Sequence, residues 1–228
     1  MNSNSNSPYS QLNQDLWVLE FFQNKRNGVF LDIGAFDGVN LSNTYLLEKN
    51  YGWTGLCVEA NSATFEKLKK SRNCVCVNEM LSNKAGKVVS LQRMGELSFG
   101  DSKNVFNIDV DEMRNAHADL DTSIEHHVTN TLVNVLETNG IPKIIDYLSI
   151  DVEGMELEIL ENFDFAKYHV NLITIEHNAA HIGMKYRNEL HDLLSAKGFR
   201  FVKGNDNVQG WRDDLFYIED FYANEIIK

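Results

Sequence analysis

The strongest constraint on this chain is the stretch Asp32-Ile33-Gly34-Ala35-Phe36-Asp37-Gly38, set between the apolar run Val29-Phe30-Leu31 and a helix start at Ser42-Asn43-Thr44. A strand, a glycine-bearing turn and a helix form the unit that brings backbone close to a bound nucleotide. The residue order then selects among ligands. A dinucleotide fingerprint opens on glycine and reads G-x-G-x-x-G. Here a carboxylate comes first, the glycines are spaced G-x-x-x-G, and no third glycine follows. A carboxylate at a strand end repels a pyrophosphate and suits a ligand with a cationic head. S-adenosylmethionine carries an ammonium and a sulfonium and no phosphate, so the stretch points to methyl transfer.

The rest of the chain repeats the same rhythm. Leu12, Leu16, Leu19 and Phe22 recur at helical spacing, which predicts an amphipathic helix within 9–22. Strands are expected at 29–33, 56–59, 74–77, 88–91, 144–150 and 172–175, and helices at about 42–50, 62–71, 132–138, after Gly154, and at 184–196. Ser42 and Asn61 or Ser62 suit the caps of the second and third helices. Two closing strands, 199–202 and 215–218, are joined by a loop over 203–214 short enough for a hairpin. Alternating strands and helices predict an α/β fold with a mostly parallel sheet, helices on both faces and the last strand antiparallel. Residues 93–129 show little periodicity and read as an irregular, substrate-side segment.

Composition narrows the functions. The 228 residues, 43% of them hydrophobic, suit one domain over 10–228 behind a disordered Ser/Asn-rich tail at 1–9. A formal charge of −12 disfavours nucleic acid and anionic membranes as partners. No apolar run approaches membrane-span length. Lys67, Lys69, Lys70 and Arg72 read as a solvated helix face, and the pair His126-His127 as solvated too. Cys57, Cys74 and Cys76 lie in strand-like runs without disulfide spacing, which with no signal peptide predicts buried thiols and a cytoplasmic location.

In an open parallel sheet, ligands bind outside the carboxyl ends of the strands. Those ends carry Asp32, Glu59, Asn78, Asp151 with Glu153, and Glu176-His177-Asn178. Glu59 stands where a nucleoside-binding unit places the acid that accepts both ribose hydroxyls. Asn78 to Leu81 would flank adenine, with Met80 or Leu81 as the apolar face. Asn43 and Thr44, at a helix start, could hold the methionine carboxylate. Phe36, inside the turn, is placed to touch the cofactor.

Five blocks together resemble the FkbM family of S-adenosylmethionine-dependent methyltransferases: SQLNQD (10–15), GVFLDIGAFDGVNLSNTYLLE (28–48), GWTGLCVEAN (52–61), DYLSIDVEGMELEIL (146–160) and ITIEHN (173–178). The resemblance implies the class I methyltransferase fold, Rossmann-like, with seven strands. It also implies O-methylation of a hydroxyl on a sugar or another small hydroxylated molecule. The cofactor set it suggests is Gln14, Asp32, Gly34, Ala35, Phe36, Gly38, Asn43, Thr44, Glu59, Ala60, Asn78, Met80, Leu81 and Asp151. Gln14 would belong to an N-terminal element closing over the methionine end.

An alcohol is a poor nucleophile, so its proton must be taken by a base or weakened by a metal. In one arrangement His177 is the base, oriented by Asp151, Glu153 or Glu176. In the other, Asp151, Glu176 and Asn178 or His177 hold a divalent ion such as Mg2+. Competing readings are a catalytically silent cofactor-binding domain and an NAD-dependent oxidoreductase on a similar sheet, the latter weakened by the missing glycine. The oligomeric state is left open.

Overall fold

The computed structural model describes residues 8–94, 98–100, 109–117, 119–179, 183–204 and 219–224. In chain order the elements are α1 (Gln14–Phe21), β1 (Val29–Ile33), α2 (Tyr45–Tyr51), β2 (Thr54–Val58), α3 (Ser62–Ser71), β3 (Val75–Val77), β4 (Val88–Gln92) and β5 (Phe99–Gly100). There follow α4 (Val110–Ala116), β6 (Ile124–Val128), α5 (Leu132–Thr138), β7 (Ile144–Ile150), α6 (Glu156–Glu161), β8 (His169–Glu176), α7 (Met184–Ala196), β9 (Phe199–Gly204) and β10 (Glu219–Asn224).

The main sheet has seven strands in the order β3-β2-β1-β7-β8-β10-β9. Its first five strands pair in parallel. β10 runs antiparallel to both β8 and β9, as expected of the last strand. The order reverses between β1 and β7, so the crevice above those two strands is the switch point where an α/β sheet binds ligands.

Alternation along the strands divides the interior. Leu31 and Ile33 of β1 face one core with Leu132 and Leu136 of α5, Leu160 of α6 and Leu190 of α7. Phe30 faces the other, with Val18 of α1, Leu46 and Leu47 of α2 and Leu68 of α3. Both faces are covered, which is why the central strands read as nearly continuous apolar runs. No helix among the described residues is long and apolar enough to cross a membrane.

Several local expectations need correction. The second closing strand is Glu219–Asn224, while Leu215–Ile218 lie outside the described residues. Val88–Gln92 does not join the main sheet. It centres a separate antiparallel sheet of order β5-β4-β6, so part of the segment expected to be irregular is regular, and Val110–Ala116 within it is helical. The signal was hidden because β6 is polar on its inner side. Ile124 and Val128 are 60% and 62% exposed, whereas Glu125 and His127 point inward and pair at 3.0 Å. His127 is therefore not solvated.

Arg72 is no part of a solvated face either. It follows α3 as its C-cap and is 5% exposed. The first helix starts at Gln14, not at residue 9, because Asp15 accepts hydrogen bonds from Tyr9 N (2.8 Å) and Ser10 Oγ (2.6 Å) and folds that segment into a turn. Residues 1–7 of the expected tail lie outside the described residues. All three cysteines are free, with the Cys57 and Cys74 sulfurs 3.5 Å apart.

The tightest approach is at Gly34, which has φ +87°. A Cβ there would sit 1.7 Å from the Asp151 carbonyl oxygen. Gly34→Ala is therefore expected to destabilise the fold by about 4 kcal/mol or more, as backbone strain and overpacking combine. Urea denaturation checks this, and a midpoint close to wild type would contradict it.

Candidate active site

The glycine turn is built from backbone upward. Gly34 N and Ala35 N both donate to Val58 O at 3.0 Å, and Gly38 N donates to Ala35 O at 2.9 Å. Gly38 has φ +80°, and a Cβ there would run into Leu68, Ser71 and Arg72 at under 3 Å. Both glycines thus serve close packing, one against β7 and one against α3. Phe36, between them, also takes a left-handed backbone with φ +49°.

Glu59 joins this turn to α3. Its Oε2 accepts Phe36 N at 2.9 Å and its Oε1 accepts Asn61 N at 2.7 Å. Burial pushes its carboxyl up to about 7, against the lowering effect of those two amides. Asn78 braces the same corner: its Nδ2 donates to Glu59 O and Ala60 O, both at 2.8 Å, and its Oδ1 accepts Ser62 Oγ at 3.1 Å. Met80 and Leu81 are buried just beyond it. Asn61 caps α3 through Ala63 N and Thr64 N.

On the α1–α3 face a polar row crosses the sheet in register: Cys76, Cys57, Asp32, Ser149 and Thr174. Asp32 is 4% exposed and its Oδ2 accepts Thr44 Oγ1 at 2.5 Å. Burial raises its pKa, while Arg72 and the Thr44 hydroxyl oppose the shift. Asn43 Nδ2 donates to Ser149 Oγ at 2.9 Å. Ser42 Oγ accepts Thr44 N and Tyr45 N from ahead of α2, but the helix starts at Tyr45, later than expected, and its N-cap position is Thr44, not Ser42. Gln14 is buried in the N-terminal turn, where its Oε1 accepts Leu12 N at 2.8 Å.

Across the crevice, Asp151, Glu153 and Glu176 bring carboxylate oxygens within 4.8 Å of one another. Asp151 N donates to Ile33 O at 2.9 Å, which docks this loop against β1. Burial, then the charges of Asp151 and Glu153, lift Glu176 well above the usual carboxylate range. Burial also raises Asp151, with its hydrogen bond to Glu176 opposing. Asn178 turns its Nδ2 to Glu176 Oε2 (2.6 Å) and Glu153 Oε2 (3.2 Å). His177 is 1% exposed and its Nδ1 accepts Ala179 N at 3.1 Å, which puts the proton of the neutral ring on Nε2. His181 lies outside the described residues. Glu153 and Asn178 have φ +54° and +45°, so left-handed residues stand at the ends of β7 and β8 as Phe36 does at β1.

The family model for the methyltransferase FkbM domain matches residues 32–201, well over half of the chain. This chain belongs to the FkbM methyltransferase family. The SQLNQD block lies before the matched residues. Among solved structures, the FkbM methyltransferase from Methylobacillus flagellatus superposes with a TM-score of 0.50 at 10% identity. That match covers 86% of this chain and 43% of the other, so this chain spans less than half of that protein. A putative RNA methyltransferase from Pyrococcus horikoshii matches with a TM-score of 0.43 at 12% identity, covering 93% of this chain and 82% of that one. A TehB-like S-adenosylmethionine-dependent methyltransferase from Corynebacterium glutamicum gives 0.45 at 11%, covering 97% and 90%. A search of curated proteins finds no match.

In this FkbM-family domain several residues of the site escape sequence reasoning. Glu156, wholly buried, accepts Val152 N (2.9 Å), Gly154 N (3.2 Å) and Tyr186 Oη (2.6 Å), and so shapes the loop that carries Asp151 and Glu153. Glu125 of the small sheet accepts Ser62 N at 2.9 Å, and Ser98 Oγ accepts Asn61 Nδ2 at 3.1 Å. Glu156 opens a helix, ELEILE, in which it is one of three glutamates, so nothing in the residues singles it out. Glu125 and Ser98 had no signal either, since their partners lie far off in the chain.

The raised carboxyl of Glu59 has a measurable consequence. Unfolded, the group titrates near 4.5; folded, near 7. The folded state therefore binds the extra proton, and the stability it contributes is full below pH 4.5 and lost as pH rises through about 7. Glu59→Gln removes this dependence. Urea denaturation at a series of pH values should show wild-type stability falling relative to the variant between about pH 5 and pH 8. Parallel curves would mean an ordinary Glu59 carboxyl.

Proposed function

We propose that this chain transfers the methyl group of S-adenosylmethionine to a hydroxyl oxygen of a sugar or other small hydroxylated molecule. The observation that supports this best is the carboxylate group Asp151, Glu153 and Glu176, facing the glycine turn across the switch point. The sulfonium donor is already activated, so the protein has to align the acceptor oxygen in line and relieve it of its proton. In this reading Glu59 accepts the ribose hydroxyls. Gln14, Asp32, Asn43 and Thr44 take the methionine end. Phe36, Ala60, Asn78, Met80 and Leu81 surround the adenine.

The Asp151–Glu176 pair is the base in this reading. Two hydrogen-bonded carboxyl groups in a buried site cannot both ionise readily, which raises the proton affinity of the pair. His177 suits the task less, because its Nδ1 lone pair is engaged by Ala179 N. The same three carboxylates support a second route. An all-oxygen set fits a hard divalent ion such as magnesium, with Glu153 in the place expected of Asn178, whose Nδ2 faces the acids. An ion held there would lower the pKa of the acceptor hydroxyl.

The charge of −12 favours a small acceptor over a nucleic acid. Three free cysteines suit a reducing, cytoplasmic compartment. Methyl transfer to a panel of hydroxylated compounds, followed as S-adenosylhomocysteine release, is expected to fall about 100-fold or more in Glu176→Gln with cofactor affinity little changed. Turnover that survives the substitution removes the carboxylate pair from the mechanism. Chelation then separates the routes: unchanged turnover leaves the proton to the carboxylates, and a loss restored by magnesium assigns it to the ion. Binding of S-adenosylhomocysteine without turnover on any acceptor would favour a silent binding domain, and binding of NAD in its place an oxidoreductase.

A further inference from the structure

Two carboxylates and one guanidinium meet beneath the glycine turn. Asp32, Glu48 and Arg72 are 4%, 8% and 5% exposed. With all three ionised, one negative charge is left over, and the geometry shows where it falls. Glu48 is the better satisfied acid: its Oε2 accepts Arg72 Nε at 2.5 Å and its Oε1 accepts Asn73 N at 2.7 Å. Asp32 stays 3.9 Å from Arg72 Nη1. Thr44 stands between them, accepting Arg72 Nη2 at 2.8 Å and donating to Asp32 Oδ2 at 2.5 Å. Among the described residues, Asp32 Oδ1 accepts no hydrogen bond.

A second acceptor lies close by in the fold. Ser149 is the register neighbour of Asp32 on β7 and holds the Asn43 amide nitrogen. Asn43 Oδ1 is thereby left buried without a donor. The Asp32 carboxylate, which accepts the Thr44 hydroxyl, and the donor-less amide oxygen of Asn43, which is tied to Ser149 beside it in register, thus lie next to a surplus negative charge. A buried acceptor without a donor is costly, so the arrangement suits a ligand that brings N–H groups and positive charge. An ammonium offers three donors.

Resting on the reading that S-adenosylmethionine binds at this turn, we propose that Arg72, Glu48 and Thr44 are positioning residues that present Asp32 and Asn43 to the ammonium of the cofactor's amino-acid tail. Glu48 draws the guanidinium away from Asp32, which keeps the Asp32 charge for the ligand. The same guanidinium donates to Gly38 O at 3.2 Å and Ser42 Oγ at 3.3 Å, so it also ties the glycine turn to the approach to α2. Asn43 becomes an acceptor for the ammonium, in place of the contact to the methionine carboxylate that its position near a helix start suggests.

Calorimetric titration with S-adenosylhomocysteine and with its desamino analogue, which keeps the carboxylate and lacks the ammonium, tests this. Wild type is expected to prefer the former by about tenfold or more. Thr44→Val breaks the relay between Arg72 and Asp32, and the preference is expected to collapse toward one. Thr44→Ser keeps the hydroxyl and should restore the preference. Glu48→Gln releases the guanidinium toward Asp32 and should erase the preference from a position assigned no ligand contact. If Thr44→Val fails to fold, the Glu48→Gln and Thr44→Ser pair carries the comparison. Folded variants that lose both compounds equally, or neither, would reduce the network to a structural role and overturn the proposal. A wild-type protein that binds neither compound would defeat the cofactor reading itself.

Discussion

The site depends on how closely β1 and β7 approach at their carboxyl ends. Asp151 N donates to Ile33 O, and the Asp151 carbonyl oxygen occupies the space that a side chain at residue 34 would need. A residue with a Cβ would force these strand ends apart. Because it is glycine, the turn that follows β1 and the acidic loop that follows β7 share one crevice. The cofactor half and the chemical half of the proposed site are brought together by that one missing methyl group.

Around this contact the protein handles buried charge in two ways. On the α1–α3 face, Arg72 offsets one of the two negative charges of Glu48 and Asp32, since burying unpaired carboxylates costs several kcal/mol each. At the ends of β7 and β8, Asp151 and Glu176 meet each other, carboxyl to carboxyl. Burial raises the proton affinity of both groups. The first arrangement suits a fixed scaffold with one charge held ready. The second suits a place where a proton is exchanged. Glu59 stands between the two, raised by burial yet held by two backbone amides.

Much of the fold was legible in the residues. Strands β1, β2, β7 and β8 are apolar runs ended by a polar residue, and that pattern is local. The antiparallel last strand followed from the short loop expected before it, and its described part is Glu219–Asn224, while the apolar run at 215–218 lies outside the described residues. The small sheet was illegible because the inward side of β6 carries Glu125 and His127, which a hydrophobic period reads as outside. Arg72 was misread for a related reason: it sits in a run of lysines at the end of an amphipathic helix, and only the folded chain shows that its side chain turns under the glycine turn.

The sequence by itself determined the alternation of strands and helices, the turn at Asp32 to Gly38 and the acids that end the strands, because each of these is written in neighbouring residues. Tertiary structure alone decided which acid meets which partner. Glu48 meets Arg72 across 24 residues, Asn43 meets Ser149 across 106, and Glu153 meets Asn178 across 25. Contacts of that separation depend on strand order and register, and no local periodicity carries them.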